Sequence, residues 1–118
     1  MNPIDFWRLH DDLSIDQATH LVMGLLPDEV RHKEDAEMFL APSGRMTFIT
    51  QYEAISSAIK QALMLKQVEG DLIPQVIRFD SGDMGAERVE PHIASRIKVA
   101  SLKAWLSARG VHPEFFFP

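Results

Sequence analysis

The C-terminal fourteen residues carry the clearest indication of how this chain folds. They run from Trp105 to Pro118 and read WLSARGVHPEFFFP. The pattern is typical of the end of a helix, a glycine stop at Gly110, and then three consecutive phenylalanines. Three neighbouring rings exposed together would form an apolar patch. The rings of residues 115–117 therefore either close the core or anchor a partner, and we expect at least two of them to be buried.

Composition indicates a single globular domain over residues 1–118, because 46% of the residues are hydrophobic and can supply a core. The absence of cysteine excludes disulfides, a thiolate nucleophile and a cysteine-bound zinc site. Met1–Asp5 lacks the basic start and apolar run of a signal peptide. No stretch approaches the roughly 18 apolar residues of a membrane span. We expect a soluble, cytoplasmic protein.

Two helices are predicted near the N-terminus. Asn2 as a cap and Pro3 at the first helical position predict a short helix through about Leu9. A second helix begins after Ser14, because Ser14 and Gln17 have the spacing of a capping box. Apolar residues then recur at helical spacing, and this helix ends at residue 24 or 27, a glycine and a proline.

The middle of the chain predicts a short helix over Asp35–Leu40, a loop over residues 41–44 and the longest helix over about 48–68. Thr47 is the expected N-cap of that helix and Gly70 its expected end. A β-branched alternating segment at residues 75–79 then predicts a strand.

Residues 80–85 are predicted to form a turn or loop tip. Residues 96–99 are predicted to be a second strand that forms a hairpin with residues 75–79. A last helix opens at residue 100 or 101 and closes at Gly110. The order of elements predicts a mainly α, small helical domain with a short β-hairpin, an α+β arrangement.

The net charge of −5 conceals an asymmetry along the chain. Residues 1–44 carry a net charge of −6 and residues 45–118 a net charge of +1. Between Pro91 and Pro113 there are four basic residues and no carboxylate. This asymmetry predicts two surfaces of different charge that bind different partners. The alternative is that both are ordinary solvated faces of an acidic protein. The overall negative charge opposes nonspecific binding to DNA.

No motif in the sequence indicates a reaction. The five histidines are scattered without the short spacings of a metal site, so we expect no metal and no cofactor. The run His10-Asp11-Asp12 places a ring beside two carboxylates, but between two helices such aspartates usually cap and solvate. Asp80–Asp83 lacks the alternating ligands of a calcium loop. We therefore predict no catalytic residue and a non-enzymatic protein.

Two short pieces of the chain resemble excisionase-like and winged-helix domains of phage and mobile elements. Residues 97–110 contain a short strand, a polar residue, Leu-x-x-Trp-Leu and a glycine, similar to the closing element of that family. Residues 13–18 are similar to the start of the first helix of helix-turn-helix proteins. The resemblance implies a winged-helix-like variant and a DNA-binding regulator. An acidic segment and a long helix stand where that family has a short, basic recognition helix.

The whole chain also resembles proteobacterial and mobile-element proteins that end in WLxxRGxxPxFFFP. That resemblance implies no known activity.

Two functions from different classes follow, both based on non-enzymatic macromolecular binding without a membrane. The first is a nucleic-acid-associated accessory or regulatory protein of a phage or mobile element, whose phosphate-contacting residues are Arg96, Lys98, Lys103, Arg109, Arg78 and Arg88. The second is an acidic protein-binding module or inhibitor of the anti-defence or nucleic-acid-mimic type, whose partner-binding residues are Asp28, Glu29, Glu34, Asp35, Phe115, Phe116 and Phe117. The partner is nucleic acid or a protein, and a homodimer is compatible with either.

Overall fold

A computed structural model of the protein describes residues 3–27, 42–79 and 86–118, with side chains described for 3–27, 49–77 and 87–118. Its elements are α1 (Pro3–Trp7), β1 (Asp12–Ser14), α2 (Ile15–Val22), α3 (Pro42–Met64), β2 (Gly70–Asp71), β3 (Pro74–Phe79), β4 (Ala86–Pro91), β5 (Arg96–Lys98) and α4 (Val99–Ala108). The described ranges contain both helices and antiparallel strands, so the fold is a small mixed α+β arrangement. The α+β part of the prediction is confirmed.

The capping box at the start of α2 is confirmed. The Ser14 hydroxyl accepts from the Gln17 backbone N–H at 3.1 Å, and the Gln17 side chain accepts from the Ser14 N–H at 3.1 Å. The helix ends earlier than Pro27, at Val22, because Gly24 adopts a left-handed φ of 79°. The Leu25 N–H then donates back to the His20 carbonyl at 2.9 Å, which satisfies a carbonyl of the last turn.

Both predicted ends of the long helix are wrong. Helix α3 begins at Pro42, inside the predicted loop, because proline is well suited to the first helical position. It ends at Met64, where Lys66 takes the left-handed conformation with φ 57°. The Gln67 N–H donates to the Ala62 carbonyl at 2.8 Å, the pattern that usually has glycine at the left-handed position.

Gly70, the predicted end of that helix, lies instead in a three-stranded antiparallel sheet of order β1-β5-β2. A Cβ at this position would overlap the Arg96 carbonyl oxygen of β5, so only glycine allows so close an approach. On the other side of β5, Leu13 pairs with Ile97, and both side chains are fully buried.

The predicted hairpin between residues 75–79 and 96–99 is also wrong. Strand β3 pairs with β4, residues 86–91, which were not predicted as a strand. The sequence of β4 contains three charged residues, a single β-branched residue and a proline, so its pattern is a poor strand signal. Residues 96–98 pair with β1 and β2 instead.

The core lies between the three-stranded sheet and helices α2, α3 and α4. Its buried apolar side chains come from every one of these elements and from the C-terminal tail: Leu13, Ile15, Ala18, Leu21, Ile59, Ala62, Leu63, Val68, Ile97, Leu102, Leu106, Phe115 and Phe116. Helix α4 ends as predicted at a left-handed Gly110, with φ 72°.

The burial of two tail rings is confirmed. Phe115 and Phe116 are 5% and 4% exposed and meet edge to face, with ring centroids 4.7 Å apart. Arg8, at the end of α1, donates to the carbonyl oxygens of Phe115 and Glu114, each at 3.2 Å. The tail therefore joins the first helix of the chain to its core.

Three further predictions lie outside the described residues. They are the Asn2 cap, the short helix over Asp35–Leu40 and the turn over residues 80–85.

Candidate nucleic-acid interface

The six basic residues marked by the sequence lie on two separate parts of the fold. Strand β5 carries Arg96 and Lys98, the helix that follows it, α4, carries Lys103, and Arg109 caps the C-terminal end of α4. The β3–β4 hairpin, a different sheet, carries Arg78 and Arg88. The side chain of Arg78 lies outside the described part. The structure therefore brings four of the six basic residues onto adjoining elements.

Arg96 is occupied in a cross-strand ion pair. Its Nε donates to Asp12 Oδ1 at 2.8 Å, and its Nη2 donates to the Asp12 carbonyl at 3.2 Å and to the same carboxylate oxygen. Both side chains are partly exposed. A two-point contact of this kind orients the guanidinium and cancels its charge locally, so Arg96 mainly ties β5 to β1.

Lys98 and Arg88 also have acidic neighbours. Lys98 Nζ lies 3.7 Å from a Glu69 carboxylate oxygen, and both side chains are well exposed to water. Arg88 Nη2 lies 3.1 Å from Glu90 on the same strand. Exposed pairs are worth little, about 1 kcal/mol or less, so Lys98 can leave Glu69 for a phosphate at small cost.

Lys103 and Arg109 differ from Arg96 and Lys98, because each lies beside an aromatic ring. Lys103 Nζ lies 5.2 Å from the centroid of the Phe117 ring. The Arg109 guanidinium carbon lies 4.2 Å from the centroid of Trp105. A ring stabilises a cation without cancelling its charge. Lys103 is exposed on α4, and Arg109 is exposed at the C-terminal end of that helix.

Gln67 fixes the arrangement of Trp105 and Arg109. Its side-chain oxygen accepts from the Trp105 indole N–H at 3.4 Å and from Arg109 Nη2 at 3.3 Å. Gln67 follows the end of α3, so the segment after the long helix holds the exposed cation–aromatic pair of α4 in place. This contact could not be predicted from the sequence, since Gln67 and Arg109 are 42 residues apart.

A cavity of about 520 Å³ opens between the end of α3, β2 and β5. Its charged lining residues are Asp12, Glu69, Asp71, Lys66, Arg96 and Lys98. The lining includes three carboxylates and three cations, so the charges of the cavity balance.

The acidic residues proposed for a protein partner, Asp28, Glu29, Glu34 and Asp35, lie outside the described residues. Of the nearby acidic residues that are described, Asp12 binds Arg96 and Asp16 accepts a hydrogen bond from the Tyr52 hydroxyl. Asp11 is exposed. Of the tail residues in the same proposal, Phe115 and Phe116 are buried in the core and Phe117 is partly exposed.

A cluster that the sequence did not predict joins α2 to α3. His20 is 5% exposed, its Nδ1 lies 3.8 Å from Asp16, and its ring centroid lies 5.2 Å from that of Tyr52. The i,i+4 spacing of Asp16 and His20 is visible in the sequence, but the third member comes from a distant helix. The cluster fixes the packing of the two helices.

Within residues 3–27, 42–79 and 86–118, no three His, Asp or Glu side chains are grouped so as to hold a metal ion. In the same part of the chain, no helix is both long and apolar enough to cross a membrane. Comparisons with protein-family models, curated proteins and solved structures gave no match to this chain.

Proposed function

We propose that this protein is a non-enzymatic, nucleic-acid-associated accessory or regulatory protein that holds phosphates on the exposed face of α4. The observation that carries the proposal is the pair of exposed cations, Lys103 and Arg109, each of which lies beside an aromatic ring. Lys98, weakly held at the start of the same helix, is the third contact. Arg96 supports this surface by tying β5, which leads directly into α4, to β1.

The nucleic acid is single-stranded in this proposal. The described side chains of α3, residues 49–64, include one cation, Lys60, and it lies 3.3 Å from Glu90. A long helix with so little positive charge is poorly suited to a duplex groove. Arg109 stacked on Trp105 offers instead a flat surface on which an unpaired base can stack.

A winged-helix-like variant of the fold is part of the proposal. Two features support it. Helices α2 and α3 pack against each other, and the β3–β4 hairpin occurs in the chain between β2 and β5 of the three-stranded sheet, as a wing does. A setting in a phage or mobile element rests on the sequence resemblance. In this arrangement Arg78 and Arg88 on the hairpin are peripheral phosphate contacts.

The second candidate is the acidic protein-binding module or inhibitor. Phe117 favours it, since this ring is partly exposed beside two buried ones and could enter a pocket of a partner. The occupation of Asp12 and Asp16 in contacts within the chain counts against it. For this reason we place the nucleic-acid function first.

The test is fluorescence anisotropy with single-stranded DNA, single-stranded RNA and duplex DNA of about 20 nucleotides at about 50 mM salt. Reversing both charges in Lys103→Glu/Arg109→Glu should weaken single-strand binding at least tenfold. The salt slope should become shallower by about 1.5, because about two phosphate contacts are lost. The control, Arg45→Glu/Lys66→Glu, makes the same change in net charge at residues that are not assigned a phosphate contact, and it should bind within about threefold of the unmodified protein.

Equal losses in the two variants would reject α4 as the interface. No binding to any of the three nucleic acids would reject the function. In that case a protein partner lost on neutralising Asp28, Glu29, Glu34 and Asp35 would support the inhibitor.

A further inference from the structure

We infer that a small cavity beside Trp105 and Arg109 holds one unpaired nucleobase, and that the fixed amide of Gln67 selects bases with a carbonyl oxygen over adenine. Guanine, cytosine, thymine and uracil carry such an oxygen on the ring, and adenine does not. This inference rests on the proposed binding of single-stranded nucleic acid, and it adds which bases the site accepts.

The cavity lies between the C-terminal parts of α3 and α4 and has a volume of about 200 Å³. Ala58, Ala62 and Leu65 line it on the side of α3, and Trp105 and Arg109 line it on the side of α4. Cavities that hold drug-sized ligands measure about 300–1,000 Å³, so this smaller one suits a single flat ring system.

Part of the apolar wall is in contact with water. Leu65 is 59% exposed and Ala58 is also exposed, whereas Ala62 is buried. The Arg109 guanidinium carbon lies 4.2 Å from the centroid of Trp105, and unpaired bases stack on both kinds of surface. A base that enters the cavity would therefore bury apolar surface that the protein alone leaves exposed.

The orientation of the Gln67 amide is set by two neighbours that can only donate. Gln67 lines the cavity, and its Oε1 accepts from Trp105 Nε1–H at 3.4 Å and from Arg109 Nη2 at 3.3 Å. Because an indole N–H and a guanidinium have no acceptor, the amide atom between them must be the oxygen. Both lone pairs of that oxygen are then in use. The polar atom of Gln67 that is left for a ligand is the amide nitrogen, which is a donor.

This fixed amide is unsuited to the usual contact between glutamine and adenine. In that contact the amide oxygen accepts from the adenine amino group while the amide nitrogen donates to N7. With Oε1 engaged, Gln67 offers no acceptor to an amino group, but its nitrogen can donate to a carbonyl oxygen. Gln61 also lines the cavity, but among the described residues no hydrogen bond fixes its amide, so it can present either atom and does not select.

Oligonucleotides with a single base test the selection, because they hold the number of phosphates constant. Each strand has about ten nucleotides, abasic except for one central adenine or hypoxanthine, and is measured by fluorescence anisotropy at about 50 mM salt. Hypoxanthine is the size of adenine but carries a carbonyl oxygen in place of the amino group and a proton on the neighbouring ring nitrogen. The unmodified protein should bind the hypoxanthine strand at least about fivefold more tightly.

Gln67→Glu isolates the role of the amide nitrogen. The carboxylate can still accept from Trp105 and Arg109 but has no donor, so the two strands should bind within about twofold of each other. Gln51→Glu makes the same change of charge at an exposed position of α3 and should keep the preference for hypoxanthine. A general loss of affinity caused by the added negative charge cancels in the ratio of the two dissociation constants.

Filling the cavity gives a second test, which does not depend on the identity of the base. Ala58→Leu places a larger side chain in the cavity wall, and Ala54→Leu makes the same change at an exposed position one turn earlier on α3. Only Ala58→Leu should reduce the affinity for the hypoxanthine strand to that of a fully abasic strand.

Equal binding of the adenine and hypoxanthine strands, equal ratios in the two glutamate variants, or equal effects of the two leucine variants would each overturn this inference. If the unmodified protein still bound every strand with a steep dependence on salt, the phosphate-binding function would stand without a base pocket. An absence of binding to all of these strands and to the longer single strands would reject the function together with the inference.

Discussion

Replacing Phe116 by alanine should destabilise the protein by about 4 kcal/mol. The side chain is 4% exposed, and its ring meets the Phe115 ring edge to face. A buried phenylalanine removes about 150 Å² of apolar surface from water, and at about 25 cal/mol per Å² this is worth about 4 kcal/mol. The value lies within the usual cost of about 3–5 kcal/mol for Phe→Ala in a core.

Phe117 is the matched control for this prediction. It is the same residue type in the same tail, but it is partly exposed and contacts His112 and Lys103 at the surface. Phe117→Ala should cost about 1 kcal/mol, the scale of partial burial. Urea unfolding followed by circular dichroism measures both, and with a slope of about 1.5 kcal/mol per M the midpoints should fall by about 2.7 M and 0.7 M.

Deleting Glu114–Pro118 should cost more than Phe116→Ala alone. The deletion removes two buried rings and the two carbonyl oxygens to which Arg8 donates. Against a typical total stability of about 5–15 kcal/mol, it should leave the chain largely unfolded at 25 °C. If the truncated chain and Phe116→Ala both kept the original midpoint, the tail would not belong to the core, and a role as a partner anchor would follow.

Three smaller predictions concern the backbone and are measured by the same urea titration. Lys66→Gly should raise the free energy of unfolding by about 0.5–1 kcal/mol. Glycine removes the strain of a left-handed lysine, and this gain exceeds the cost of the greater conformational entropy that glycine gives the unfolded chain. An unchanged free energy of unfolding would contradict the left-handed conformation. Gly24→Ala should lower the free energy of unfolding by about 1 kcal/mol. The cost is backbone strain alone, because φ is 79° and an added Cβ would meet nothing within 4 Å. Gly70→Ala should cost about 3 kcal/mol through its overlap with the Arg96 carbonyl, and a cost equal to that of Gly24→Ala would refute the close approach.

The features that the sequence predicted correctly are those set by neighbouring residues. The Ser14–Gln17 capping box depends on two side chains three positions apart, and the structure forms both of its bonds. Helix α4 ends at Gly110 because its glycine supplies the left-handed residue locally. The burial of the tail rings followed from their number and spacing, since three adjacent rings cannot all stay in water cheaply.

The errors in the fold arose where distant residues decide the outcome. Lys66 ends α3 in a conformation that lysine disfavours, so the sequence pointed to the next glycine, Gly70. That glycine serves a different purpose, the approach of β2 to β5. Similarly, residues 96–98 pair with a strand more than 80 positions earlier. Local strand propensity gives no information about which partner a strand takes.

The candidate site shows the same limit for charges. The positions of charges in the chain do not distinguish among Arg96, Lys98, Lys103 and Arg109, because no carboxylate lies between Pro91 and Pro113. Folding brings Asp12 to Arg96 across 84 residues, and that contact cancels the field that would attract a phosphate.

The aromatic rings beside Lys103 and Arg109 have the opposite consequence. A ring lowers the energy of the cation through its quadrupole but adds no negative charge, so the positive field reaches the solvent. The same contact holds a long side chain in place, and less conformational entropy is then lost when a phosphate binds. The two residues with aromatic neighbours are therefore the best prepared of the four to bind a polyanion, even though the protein as a whole is acidic.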